Sequence, residues 1–292
     1  MNERPPESSA PLDHYVVAGN PVAHSQSPFI HAEFARQTGQ ALHYGRLLCP
    51  PDAFAATIRE FARGSTAGPA RGCNVTTPFK FEAFALGTRA SERAALAGAA
   101  NLLRFDADGW FADNTDGAGL VHDIQHGAGV DLAGRRVLVV GAGGGAAGIL
   151  GPVLAAGPAQ LVIANRSVDK ARALAEKHAN AARGVELRCT GLADCGADFH
   201  IVINATSSSL AGAAFPVHAR VFGRSALAID LMYGPAATAF LAWAREHGAT
   251  PRDGLGMLVE QAAEAFFVWR GMRPVTAPVL AALRQRLAQP AT

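Results

Sequence analysis

Residues 136–157, RVLVVGAGGGAAGILGPVLAAG, constrain the fold of this chain more than any other stretch. A strand-like apolar run ends in Gly141-Ala142-Gly143-Gly144-Gly145-Ala146, and a helical pattern follows. That is G-x-G-x-x-A in the strand–turn–helix setting that gives the pattern meaning. The first glycine allows a sharp turn, and the second lets the backbone approach a pyrophosphate. The helix start then offers unpaired N–H groups and a positive dipole end to the anion. The run is long enough to raise the question of a membrane span. Its glycines and Pro152 instead divide it into strand, turn and helix. Gly141, Gly143, Gly144, Gly145 and Ala146 are therefore expected to hold a dinucleotide.

Short apolar runs alternate with helical stretches along most of the chain, the pattern of βαβ units around a largely parallel sheet. HYVVAG (14–19) and GCNVT (72–76) read as strands. SPFIHAEFARQTG (27–39) reads as a helix capped by Ser27, with Pro28 at its first position and Gly39 at its end. PFKFEAFALG (78–87) is a second helix, and ANLLRF (100–105) with GWFADN (109–114) suggests a hairpin around DADG. A new unit begins near residue 117. Its expected strands are RRVLVVGAGG (135–144), QLVIANR (160–166), HIVINAT (200–206) and SALAIDLMY (225–233), with helices at 167–179 and 237–248. A long amphipathic helix, GMLVEQAAEAFFVWRG (256–271), comes last.

With 292 residues and 49% hydrophobic content, the chain can build two packed domains. Residues 1–12 are polar and proline-rich, and read as a loose tail without the apolar core of a signal peptide. The net charge is only +2 and the arginines are dispersed, so nucleic acid is a poor candidate partner. Cys49, Cys73, Cys189 and Cys195 show neither CxxC spacing nor a histidine cluster. No metal site is expected from them, and they suit a reducing cytoplasm.

The cofactor's identity is read at the end of the second strand of the glycine-rich unit. An NAD enzyme usually carries Asp or Glu there, holding the ribose 2′-hydroxyl. This strand ends Ala164-Asn165-Arg166-Ser167. A guanidinium attracts a 2′-phosphate that a carboxylate would repel, and Lys170 adds a second cation. NADP is expected over NAD.

Of 26 basic residues only three are lysines: Lys80, Lys170 and Lys177. Lysine can exchange a proton where arginine cannot, so Lys80 in NVTTPFK is a candidate general acid/base. On its own it is equally well read as a surface lysine in a helix's first turn. Asp116, in DNTDG, could orient that ammonium, although a lone DNTDG more often means a polar turn. Ser25 and Ser27 could present hydroxyls to a small carboxylate, beside plain helix capping.

Taken in order, GNPVAHSQSP (19–28), GCNVTTPFK (72–80), GAANLL (98–103), DNTDG (113–117), GAGGGA (141–146), ANRS (164–167), NATSSS (204–209), DLMYGP (230–235) and DGLGMLVEQA (253–262) strongly resemble the shikimate dehydrogenase family. The resemblance spans nearly the whole chain from about residue 14. It implies an N-terminal α/β substrate domain and a Rossmann-like doubly wound NADP domain. Residues 1–116 plus 254–292 would form the first, and 117–253 the second. It implies that Lys80 and Asp116 are the catalytic pair. It assigns substrate binding to Ser25, Ser27, Asn74, Thr76, Asn101, Asp116, Tyr233 and Gln261. It assigns the NADP site to the glycine turn, Asn165, Arg166, Ser167, Lys170 and Thr206, with Met232 and Gly254 near the nicotinamide. Thr77, Leu102 and Lys170 depart from the residues common at their positions, and Gly151-Pro152 should interrupt the helix after the glycine turn.

The implied activity is reversible NADPH-dependent reduction of 3-dehydroshikimate to shikimate, in aromatic amino acid biosynthesis. The expected partners are this small substrate and NADP, with no nucleic acid and no membrane, and a homodimer is left open. Two rivals stand beside this reading. One is a quinate/shikimate dehydrogenase of broader specificity; the other is a cofactor-binding paralogue without turnover.

Overall fold

The computed structural model describes residues 12–64, 66, 68–206 and 215–289. Apart from Leu12, the expected N-terminal tail lies outside the described residues, as does the 207–209 part of NATSSS. The chain forms two six-stranded sheets.

The first half carries β1 (Asp13–Gly19), α1 (Ser27–Thr38), β2 (Leu42–Leu48), α2 (Phe54–Ala62), β3 (Ala70–Val75), α3 (Lys80–Leu86), β4 (Arg89–Ala90), α4 (Glu92–Ala97), β5 (Leu102–Asp106) and β6 (Gly109–Asp113). Its sheet runs β2-β1-β3-β5-β6-β4. Strands β2 and β3 flank β1 in parallel, and the expected hairpin β5–β6 adds on antiparallel to β3. One face buries Phe54, Ile58, Phe79 and Leu103.

The chain then passes through α5 (Asp116–His122), which ends in a π-helical turn over Asp123–Gly127. The second half follows as β7 (Arg136–Val140), α6 (Gly144–Ala155), β8 (Gln160–Ala164), α7 (Val168–His178), β9 (Glu186–Thr190), β10 (Phe199–Asn204), β11 (Phe222–Asp230), α8 (Thr238–Glu246) and β12 (Thr250–Arg252). Its sheet runs β12-β11-β10-β7-β8-β9, with every pair parallel. Read from β9, that is the 3-2-1-4-5-6 order of a doubly wound sheet, and its switch point lies between β7 and β10. The central strands are apolar on both faces because helices cover both.

Two expectations fail for physical reasons. Ser27 does not cap α1: Gln26 takes the cap position, and Ser27 is the first helical residue, buried. Nor do Gly151 and Pro152 break α6, which runs through both. Pro152 cannot donate back to Gly148, but Ile149, Leu150, Val153 and Leu154 are buried in the core, and that packing holds the helix.

The last segment returns to the first half. Helix α9 (Leu255–Arg270) is buried on most sides, and a further helix, α10 (Ala277–Ala288), follows it. Val259, Phe266, Val279 and Leu283 pack on Ile30 and Phe34 of α1, while Met257 joins the core of the second half. Helix α9 thus stitches the two sheets together.

Candidate active site

Lys80 opens α3 and Asp116 opens α5, so each stands at the C-terminal end of the strand before it. Their side chains form a direct hydrogen-bonded ion pair, and the side chains are only 16% and 8% exposed. Asp116 also sits at a helix start, where the backbone dipole favours a carboxylate. Its second oxygen accepts from Asn101 Nδ2 at 2.9 Å. The same amide nitrogen lies 2.9 Å from Thr115 Oγ1 and 3.1 Å from Gln261 Oε1. Asn101 Oδ1 in turn accepts from the Thr115 backbone N–H at 2.8 Å. Gln261 therefore does return along α9 to the Lys80–Asp116 pair. The whole cluster is an ammonium held against a carboxylate whose second oxygen is already hydrogen-bonded.

The remaining substrate positions share the same end of the first sheet. Ser25 and Ser27 are linked hydroxyl to hydroxyl at 3.2 Å. Arg46, on β2, donates to the Ser25 carbonyl at 2.6 and 3.1 Å and brings a cation to this loop. Asn74, near the end of β3, is buried and donates to the Asn101 carbonyl at 3.2 Å. Thr76 is anchored through its N–H to the Ala18 carbonyl at 2.9 Å. Tyr233 arrives from the second half. Burial raises its pKa, and the Gln26 backbone and Arg46, both beside it, lower it in part.

The glycine turn faces this cluster. A Cβ on Gly144 would sit 3.5 Å from Lys80 Cβ. A Cβ on Gly148, one turn on, would meet Asn114 Oδ1 at 2.7 Å and Asp116 Oδ2 at 3.0 Å. Gly141 has φ +120°, and a Cβ there would lie 2.8 Å from the Ala205 carbonyl, so only glycine fits. No atom of a described residue would come within 4 Å of a Cβ on Gly143, which leaves its side open among them.

Asn165, Arg166 and Ser167 follow β8, with Arg166 and Lys170 exposed. The nearby Asp169 is paired with Arg172 at 3.0 Å. Cationic donors, a bare helix start and a glycine cradle fit a dinucleotide carrying an extra phosphate. Thr206 hydrogen-bonds to Asn204 Oδ1 through its N–H and hydroxyl, beside Gly141 at the switch point. Met232 and Gly254 are joined by a 2.8 Å backbone hydrogen bond.

Sequence reading missed Thr115, Arg46 and Tyr44. Thr115 lies inside DNTDG, where its hydroxyl and N–H both meet Asn101. Arg46 and Tyr44 sit on β2, a strand with no clear alternation to signal it. No helix among the described residues is long and apolar enough to cross a membrane, and no group of three or more His, Cys, Asp or Glu there could hold a metal.

Residues 17–103 match the family model described as shikimate dehydrogenase substrate binding domain. Residues 123–213 match shikimate / quinate 5-dehydrogenase, and residues 254–284 match the shikimate 5′-dehydrogenase C-terminal domain. A protein of Methylibium petroleiphilum named shikimate dehydrogenase (NADP(+)) is 63% identical over 280 residues, covering 94% of this chain and 95% of that one. The crystal structure of an Ael1 enzyme from Pseudomonas putida superposes with TM-score 0.82 at 45% identity, covering 95% of this chain and 99% of that one. Shikimate 5-dehydrogenase from Thermus thermophilus, solved in complex with shikimate, gives TM-score 0.81 at 32% identity, covering 95% and 100%.

Proposed function

The chain belongs to the shikimate dehydrogenase family, and from that premise we propose that it interconverts 3-dehydroshikimate and shikimate with NADP. Close relatives carry that activity and cofactor in their names. One observation carries the reading furthest. The buried Lys80–Asp116 pair abuts the glycine turn, so a proton-exchanging amine lies where a dinucleotide would enter.

When bound, the nicotinamide supplies the hydride that reduces the ketone. Lys80 donates a proton or a strong hydrogen bond to the oxygen on which charge develops. Asp116 aims the ammonium, and Asn101 and Thr115 hold the Asp116 end of the pair. Ser25 and Ser27 take the substrate carboxylate, with the Arg46 charge behind them. Asn74, Thr76, Gln261 and Tyr233 contact the rest of the ring. The amides of Gly143 to Ala146 hold the pyrophosphate, and Arg166 with Lys170 holds the 2′-phosphate, flanked by Asn165 and Ser167. Thr206, Met232 and Gly254 border the nicotinamide end.

We assign 1–116 with 254–292 to the substrate lobe and 117–253 to the nucleotide lobe. Packing of α9 and α10 on α1 supports the first grouping. Free thiols at all four cysteines suit a reducing cytoplasm, where we place the reaction.

A steady-state comparison of shikimate and quinate, each with NADP and NAD, tests the proposal. The highest kcat/KM is expected for shikimate with NADP. Comparable turnover of quinate would mean a broader dehydrogenase. Absence of turnover with every pair would mean a non-catalytic paralogue.

A further inference from the structure

Tyr44 touches neither the Lys80–Asp116 pair nor the glycine turn, yet it decides how one pocket residue faces the ligand. A side-chain amide can sit two ways, offering N–H or C=O. Asn74 has no such freedom. The Asn101 backbone carbonyl can only accept, and it accepts from Asn74 at 3.2 Å, which puts Nδ2 on that side. Oδ1 is thereby turned to Tyr44, whose hydroxyl donates to it at 2.7 Å. Flipping the amide would set Oδ1 against the Asn101 carbonyl, two acceptors face to face. With one Oδ1 lone pair engaged by Tyr44 and one Nδ2 hydrogen committed to Asn101, the second Nδ2 hydrogen is the donor left to offer.

Tyr44 is itself held. Its ring stacks on His31 with centroids 4.2 Å apart and planes 5° apart. His31 is 1% exposed and packs against Phe34, Phe266 and Trp269. Neither ring nitrogen of His31 makes a well-formed hydrogen bond among the described residues, although the Asn74 amide lies close by. Burial pulls its pKa down to about 3, with the neighbouring Asn74 amide offsetting only part, so the ring in the stack is neutral. Burial also raises the Tyr44 hydroxyl well above its usual value, keeping it a donor.

We infer that Tyr44, seated on His31, is a positioning residue for the substrate: it locks Asn74 so that the pocket presents an N–H there and selects a ligand oxygen able to accept. This rests on the proposed placement of Asn74 in the substrate pocket.

Tyr44→Phe keeps the ring and the stack and removes only the hydroxyl. KM for shikimate should rise about 10-fold, the worth of one buried hydrogen bond, with kcat within about twofold. KM for NADP should stay near wild type, and the variant should remain fully folded at the assay temperature. Asn74→Ala should raise KM for shikimate by itself, and adding Tyr44→Phe to it should raise KM no further, because Tyr44 acts through Asn74. An unchanged KM in Tyr44→Phe beside a raised KM in Asn74→Ala overturns the positioning role and leaves the pocket assignment standing. So does an additive double variant, or a loss of Tyr44→Phe activity that tracks a lowered thermal midpoint. An unchanged KM in Asn74→Ala removes that residue from the pocket and overturns both.

Discussion

At the scale of single residues, chemistry is concentrated in side chains whose alternatives have been removed. Asp116 is held by Asn101 on one oxygen and by Lys80 on the other. Gly148 guards this arrangement, because any Cβ there would strike Asn114 and Asp116. Gly148→Ala should therefore lower kcat at least severalfold while α6 still folds; full activity would show that Asp116 tolerates displacement. Arg166 is exposed and forms no ion pair with a described residue, as a phosphate-seeking side chain should be. Arg166→Ala should cut the NADP/NAD ratio of kcat/KM by about 10-fold or more, the worth of a charge-assisted contact. Most of these residues were legible because their types are chemically restrictive: a lysine in an arginine-rich chain, an arginine where an acid is usual. Asp116 was legible as a carboxylate able to orient Lys80, although DNTDG by itself more often means a turn. Gln261 came through resemblance alone, because nothing local tells that it faces Asn101 across 160 positions.

At the scale of elements, glycine decides what could be read. The strand–turn–helix at 136–155 announced itself because the glycines at 141–145 form a G-x-G-x-x-A turn between an apolar strand and a helix. Helix α5 did not. Its DGAGLVH sequence carries two glycines, poor for a helix by propensity, yet they let it pack tightly. A Cβ on Gly119 would lie 2.6 Å from the Gln261 backbone N and 2.8 Å from the Met257 carbonyl on α9. Gly119→Ala should thus destabilise the protein by about 1–3 kcal/mol, as overpacking does, despite the gain in helix propensity. A denaturation midpoint at or above wild type would show that the two helices can separate without cost. Strands β2 and β9 were missed because both mix exposed and half-buried residues, without the apolar run that betrays a central strand. Pro152 misled in the other direction: local chemistry argued for a break that tertiary packing overrides.

At the scale of the whole molecule, two sheets meet along α5 and α9, and the glycine turn of one faces the Lys80–Asp116 pair at the end of the other. Each helix of the seam is fixed to its own sheet: Arg252 on β12 grips the buried Asp123, which follows α5, at 2.7 Å, and Arg93 bridges Asp113, at the end of β6, and Glu264 on α9 at 2.6 and 2.9 Å. Stability should carry the signature of His31. Its unfolded pKa is near 6.5 and its folded one about 3, so acid protonates the unfolded chain first. Stability is then fully present above pH 6.5 and falls toward pH 3, at up to about 1.4 kcal/mol per pH unit. Urea unfolding between pH 7 and 5 should show that slope, and His31→Phe should flatten it; an unchanged slope would mean His31 titrates normally. A largely parallel sheet was expected from βαβ alternation and its doubly wound form from the family resemblance; the β5–β6 hairpin was expected too, but its antiparallel docking on β3, a pairing distant in sequence, was not. The proposed reaction depends on an amine exchanging its proton at the seam. The most direct measurement is kcat for shikimate oxidation in Lys80→Ala, with shikimate affinity measured alongside. A fall of about 10² or more with affinity largely kept is the predicted result. A kcat close to wild type would contradict it.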